Sequence, residues 1–230
     1  MKTIGILGGM SWESTQTYYR LINQGVRDKL GGNHSAEIII NSLDFAPIEK
    51  QQAAGQWDDM ANVLAQKSKG IEAAGADCLL IATNTMHKLY PQVQSSVNIP
   101  VLHIADAIGK KLESESIQKV GLLGTAFTME QPFYRKWLID NFNIEVVIPG
   151  DEERSLIHRV IYEELCQGKC FAQSKSAYLK IVDQLHDHGA EAVILGCTEI
   201  GLLINQSDTQ VPLFDTTEAH TAAAVEFALS

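Results

Sequence analysis

Two stretches of the chain share a lead-in and differ at their tips. AGADCLLIATNT spans Ala74 to Thr85 and HGAEAVILGCTE spans His188 to Glu199; laid over each other 114 residues apart, they set Thr83 on Cys197. A thiol and a hydroxyl at matched places suit inversion at a carbon bearing hydrogen, where a base takes the proton from one face and an acid returns one to the other. A thiol serves because its pKa, ordinarily about 8.5, falls beside a helix N-terminus or other donors. A carbanion formed next to a carboxylate needs donors around the carboxylate oxygens. Ser11, Asn84, Thr85, Thr125 and Thr198 are of the right types, at turns where a strand gives way to a helix. A hydroxyl carries protons poorly at neutral pH and needs a neighbouring base; His87 is that base if the segment is helical, and otherwise caps or packs. Glu199 either orients Cys197 or a substrate ammonium, or simply begins a helix with a favourable charge.

The elements that must hold these tips follow from hydrophobic patterning. Short apolar runs end in Gly, Ser, Thr or Asn and lead into segments of helical spacing: TIGILGG (3–9), AEIIINSLD (36–44), ADCLLIATN (76–84) and IPVLHI (99–104). That alternation predicts parallel sheets covered on both faces. The same series then restarts, in the same order, as KVGLLGT (119–125), EVVIPG (145–150), AEAVILGCT (190–198) and VPLFDTTEA (211–219). The sequence therefore predicts an α/β fold of two similar doubly wound parallel-sheet lobes related by a pseudo-twofold. The expected division is 1–115 and 116–230, with the polar run ESESIQ (113–118) as linker and the C-terminal helix packing back on the first lobe. Ligands of open parallel sheets sit beyond the carboxyl ends of the strands. The expected active site is the cleft between the lobes, with Thr83 and Cys197 on opposite sides of one ligand.

Composition narrows the function classes. The chain has 230 residues, 45% hydrophobic, with 28 acidic and 18 basic residues and a net charge of −10. An acidic balance without clustered Lys and Arg argues against nucleic acid as a partner. The start, MKTIGILGGMSWEST, turns glycine-rich after a few apolar residues, so neither a signal peptide nor a membrane span is expected. Four cysteines without a dense framework read as reduced thiols of a cytoplasmic protein. Cys78 reads as a core residue, and Cys166 and Cys170, in ELCQGKC, as packing or surface residues without the spacing of a metal site. GILGGM lacks the third glycine of a dinucleotide fingerprint. His103 and His220 fall near the fourth-strand tips, where supporting roles are expected. DEER (151–154) reads as a solvated helix start, and Trp57 as a packing residue or the neighbour of a lid.

Six pieces spread over the whole chain make a more specific pattern: GILGGMSWEST, SLDF (42–45), TNTMH (83–87), GLLGT (121–125), IYEEL (161–165) and GCTEI (196–200). Together they resemble the aspartate/glutamate racemase superfamily, in its cofactor-independent aspartate racemase branch. The resemblance implies racemisation of a small amino acid, aspartate or glutamate by default, by paired thiols without pyridoxal phosphate or metal. It implies that Cys197 is the second-half catalytic cysteine. The first-half cysteine position is Thr83 here, a departure that implies a bias towards the L-enantiomer. Asn84, Thr85 and Thr198 match positions holding the α-carboxylate, and Met10 matches the glycine-rich turn lining the site. Gln52 and Arg159 are the candidates for the distal carboxylate. A homodimer is also implied. Two alternatives accompany this reading: a single-cysteine decarboxylase of a malonate-type acid, and a non-catalytic amino-acid sensor.

Overall fold

A computed structural model describes residues 1–230. The chain forms two compact units, Met1–His103 with His220–Ser230, and Ile104–Ala219. In chain order the first unit holds β1 (Ile4–Gly8), α1 (Trp12–Leu30), β2 (Ile38–Ser42), α2 (Phe45–Ala53), α3 (Trp57–Ala73), β3 (Cys78–Ile81), a 3-10 turn (Thr85–Leu89), α4 (Tyr90–Ser96) and β4 (Val101–Leu102). The second holds α5 (Ile104–Ser114), β5 (Lys119–Gly124), α6 (Ala126–Glu130), α7 (Pro132–Phe142), β6 (Glu145–Val147), α8 (Asp151–Glu163), a 3-10 turn (Leu165–Gln167), α9 (Ala172–Asp187), β7 (Ala192–Gly196), α10 (Ile200–Leu203), a 3-10 turn (Gln206–Asp208) and β8 (Leu213–Asp215). The last helix, α11 (Thr216–Leu229), begins in the second unit and ends in the first.

Each unit contains one four-stranded sheet, ordered β2-β1-β3-β4 in the first and β6-β5-β7-β8 in the second, with every pairing parallel. All eight strands fall within the apolar runs, and the two sheets have one topology. The register repeats as well: Leu7 pairs with Ile81, and Leu123 pairs with Leu195. Thr83 and Cys197 each lie two residues past the paired residue of the third strand, so they hold the same station in the two units. The central strands β1, β3, β5 and β7 are buried along nearly their whole length, as sheets covered on both faces require.

Two helices lie outside the half-and-half division: α5 departs from the expected bounds, whereas the C-terminal helix is the one expected on the first lobe. Residues 104–115, expected to close the first lobe, group with the second unit: Ile104, Ala105, Ile108 and Leu112 of α5 join its core, and Gly109 lies against the ring of Phe142. The end of α11 groups with the first unit, where Ala224, Val225 and Ala228 pack on Ile4, Ile6, Tyr18 and Ile22. The helix after each fourth strand thus belongs to the other unit, since apolar spacing shows which face a helix buries but not the sheet it covers.

Local capping fixes the tips. Ser11 is the N-cap of α1 and accepts from the Ser14 amide at 3.2 Å; Thr125 is the N-cap of α6 and accepts from the Thr128 amide at 3.3 Å. Gly9, with φ of +85°, sits against the backbone of Leu43, where a Cβ would collide. The run 151–154 starts α8, with Glu153 accepting from the Gly150 amide and Arg154 paired to Asp151 and Glu130. No helix is long and apolar enough to cross a membrane.

Candidate active site

In the first unit the candidate residues follow the carboxyl ends of β1, β2 and β3. Met10 and Ser11 are buried in the turn after β1, Gln52 is buried on α2, and Asn84 and Thr85 are buried after β3, with Thr83 half-buried between. The two central tips are tied together. The Thr15 hydroxyl accepts from the Gly9 amide at 2.7 Å and donates to the Ser11 carbonyl at 3.0 Å, while the Ser14 hydroxyl donates across to the Ala82 carbonyl at 2.9 Å. Trp57 carries the Lys88 ammonium over its ring at 3.6 Å.

His87 sits on the 3-10 turn after Thr83, but its Nδ1 lies 2.8 Å from the Thr83 backbone carbonyl. A carbonyl only accepts, so Nδ1 carries the proton and donates. The bond braces the strand tip and leaves Nδ1 unable to serve as a base for the hydroxyl. Behind it lies a cluster of buried imidazoles. The His103 ring centroid is 4.8 Å from that of His87 and 4.6 Å from that of Tyr90; the His220 centroid is 5.7 Å from that of His87. His220 donates Nε2–H to the Leu102 carbonyl and accepts at Nδ1 from the Tyr18 hydroxyl, both at 2.8 Å. Burial is the leading cause that holds all three neutral, pushing His87 down to about 4, His103 to about 2 and His220 to about 3.

In the second unit Gly124 pairs with Gly196, so Thr125 and Cys197 leave neighbouring strands side by side. Cys197, Thr198 and Glu199 are all buried. The carboxylate of Glu199 gathers the site: its Oε2 accepts from Cys197 Sγ at 2.9 Å and from the Thr198 hydroxyl at 2.6 Å, and its Oε1 accepts from Cys166 Sγ at 3.8 Å. The expectation of a thiol acidified by a helix N-terminus is overturned. The helix after Cys197, α10, has only four residues, too few for an appreciable dipole. Burial pushes the Cys197 thiol well above its ordinary pKa, and the adjacent Glu199 charge raises it further. The resting thiol is protonated and points its proton at a carboxylate. Arg159 is exposed on α8.

Cys78 is a buried strand residue whose thiol burial pushes up to about 12, in keeping with a core role. Cys166 is different: it reads from sequence as a packing residue, yet it touches the carboxylate that binds Cys197. Nothing in the spacing of ELCQGKC announces that contact, which depends on how the 3-10 turn 165–167 meets the start of α10.

The sequence profile of the Asp/Glu/Hydantoin racemase family matches residues 7–224. The chain belongs to that family. A solved structure from Yersinia pestis, described as a candidate Asp/Glu racemase, is 47% identical, with a TM-score of 0.93 over 100% of both chains. An aspartate racemase homologue from Pyrococcus horikoshii OT3 is 37% identical, with a TM-score of 0.86 over 100% of both chains. The broad specificity amino-acid racemase RacX of Bacillus subtilis (strain 168) is 22% identical over 214 residues, which is 93% of this chain and 92% of RacX. Membership of the Asp/Glu/Hydantoin racemase family makes the chain an amino-acid racemase by class.

Proposed function

We propose that this chain racemises an acidic or related polar amino acid, aspartate or glutamate first, with Cys197 as the group that takes the Cα proton. The observation that supports this most is the 2.9 Å contact from the Cys197 thiol to the Glu199 carboxylate. In the activating step the thiol gives its proton to Glu199, leaving a thiolate and a neutral carboxylic acid. The thiolate then takes the Cα proton, and the electron pair left on carbon delocalises into the substrate carboxylate. Ser11, Asn84, Thr85, Thr125 and Thr198 supply donors for that carboxylate, and Met10 lines the glycine-rich turn after β1. Gln52, buried and neutral, suits the distal polar group; Arg159, exposed on α8, is the second candidate.

Thr83 is the weak partner for the opposite face of the stereocentre. A threonine hydroxyl cannot hold a useful population of alkoxide at neutral pH, and Nδ1 of His87 is committed to the Thr83 carbonyl. Proton abstraction therefore favours the L-enantiomer.

Incubation with single L- and D-amino acids in deuterated water, followed by proton NMR at Cα, tests this reading. Deuterium enters L-aspartate or L-glutamate faster than the D-forms, and Cys197→Ala abolishes uptake. Absence of Cys197-dependent uptake for every amino acid removes the racemase reading of this site. Carbon dioxide release from a malonate-type acid would replace it with decarboxylation.

A further inference from the structure

A carboxylate buried as deeply as Glu199, 3% exposed, must be held by donors, and its orientation decides which oxygen faces which group. Two donors, Cys197 and Thr198, meet one oxygen; the thiol of Cys166 meets the other. Cys166 comes from a separate element, the 3-10 turn 165–167, and is half-buried against the unit's core. Its neighbour Cys170 places Sγ 3.7 Å from the Leu202 carbonyl, and the Leu202 amide bonds back to the Glu199 carbonyl at 3.0 Å. The two thiols of ELCQGKC therefore fasten that segment to Glu199 and to the helical turn that follows it.

We propose that Cys166 is a positioning residue for Cys197, acting through Glu199: its S–H holds the carboxylate with Oε2 turned to the Cys197 thiol and, by drawing charge towards Oε1, eases ionisation of that thiol. This rests on the reading of Cys197 as the proton-carrying group. The sign follows from the electrostatics. With Glu199 ionised, its charge opposes loss of the Cys197 proton to solvent, and a neutral S–H donor on the far oxygen weakens that opposition, whereas an ionised Cys166 would add to it. Loss of the donor makes Cys197 harder to ionise; loss of the carboxylate charge makes it easier. Tyr178 and Glu164 also face this group. Burial first, then the nearby Cys197, holds the Tyr178 phenol well above its ordinary pKa, and its hydroxyl donates to the Ile157 carbonyl at 3.0 Å. Glu164 accepts from the Ser174 hydroxyl at 2.6 Å. Both remain in place in every variant named below.

The test needs no substrate. Iodoacetamide labelling of the Cys197 peptide, at sub-stoichiometric reagent and across pH 6 to 10, reports the thiolate fraction by mass spectrometry. In Cys166→Ala the profile moves to higher pH and labelling at pH 8 slows by roughly three- to tenfold, the range for one weak hydrogen bond to a charge. Cys166→Ser, which keeps a donor, recovers part of the rate. In a Glu199→Gln background, Cys166→Ala has no further effect, because the group through which it acts is gone. Cys166→Val, which fills the space without a donor, replaces the alanine variant if circular dichroism shows that variant unfolded. An unchanged Cys197 profile in the folded donor-free variant overturns the proposal. So does equal slowing in the Glu199→Gln background. Labelling that follows the expected pattern while no amino acid takes up deuterium supports the positioning role and overturns the racemase reading.

Discussion

His87 donates Nδ1–H to the backbone carbonyl of Thr83 at 2.8 Å, four residues back along the chain. The bond makes His87 a brace for the tip of β3, and it predicts which replacements are tolerated. In His87→Asn the side-chain amide supplies a donor at nearly the same reach, so deuterium uptake stays within a few-fold of the parent. His87→Leu leaves the carbonyl without its donor, at a cost of about 1–3 kcal/mol. The melting temperature falls by several degrees and uptake falls with it. Neither variant alters the pH profile of uptake between pH 5 and 8, because burial keeps His87 neutral down to about pH 4.

The imidazole cluster sets acid stability. His87, His103 and His220 are neutral in the fold, with pKa values of about 4, 2 and 3 against 6.5 for an unperturbed imidazole. Below pH 6.5 the unfolded chain binds protons that the folded chain refuses, so stability is full above that pH. It is lost progressively as the pH falls towards 4 and below. The contribution of His87 alone is on the order of 3 kcal/mol. Urea titrations at pH 7 and pH 5 check this: the midpoint drops at pH 5, and replacing His103 with Phe reduces the drop. An identical drop in that variant would remove the cluster as its cause.

Glu199→Gln separates the two effects of the carboxylate on Cys197. The amide lacks the charge that opposes a thiolate, so iodoacetamide labels Cys197 at lower pH than in the parent. It also cannot accept the thiol proton. Turnover at pH 7 therefore falls, by about 10²-fold on the usual scale of general base catalysis. Uptake then climbs with pH as the thiolate forms unaided. A variant as active as the parent at pH 7 would exclude Glu199 as proton acceptor.

Thr83→Cys places a second thiol at the matched station. Deuterium uptake into the D-enantiomer rises more than uptake into the L-enantiomer, and the ratio of the two approaches one. An unchanged ratio, measured by NMR under identical conditions, would show that Thr83 takes no part in proton transfer.

Much of this was legible in the residues and some was not. The strand runs and their repetition announced the two sheets, because a parallel strand buried on both faces is apolar throughout. The matching of Thr83 to Cys197 followed from that repetition and reappears as a shared register, Leu7 on Ile81 and Leu123 on Leu195. The state of the Cys197 thiol is not legible in the sequence. A glycine-flanked strand end suggests a helix start beyond it, but the sequence does not reveal that α10 stops after one turn. The side chain two residues on then sets the electrostatics. His87 could be placed four residues from Thr83, but whether it meets a hydroxyl or a carbonyl depends on a single turn of backbone. Cys166 was invisible as a partner of Glu199 because that contact joins residues 33 apart in sequence through two irregular turns.

The exchange of α5 and α11 bears on how the chain can be divided. The stretch 104–219 is continuous, whereas its companion is assembled from both ends of the polypeptide. Cutting at the centre of the duplication, after residue 115, would strand α5 with a fragment that has no seat for it and deprive the amino-terminal piece of the helix that seals β1 and β3. Burial of a single valine or leucine is worth about 1.5–3 kcal/mol, so several such losses exceed what a small domain can spare. The compact units do not divide along the line where the sequence repeats; an excision that keeps both intact has to follow residues 103 and 220 instead.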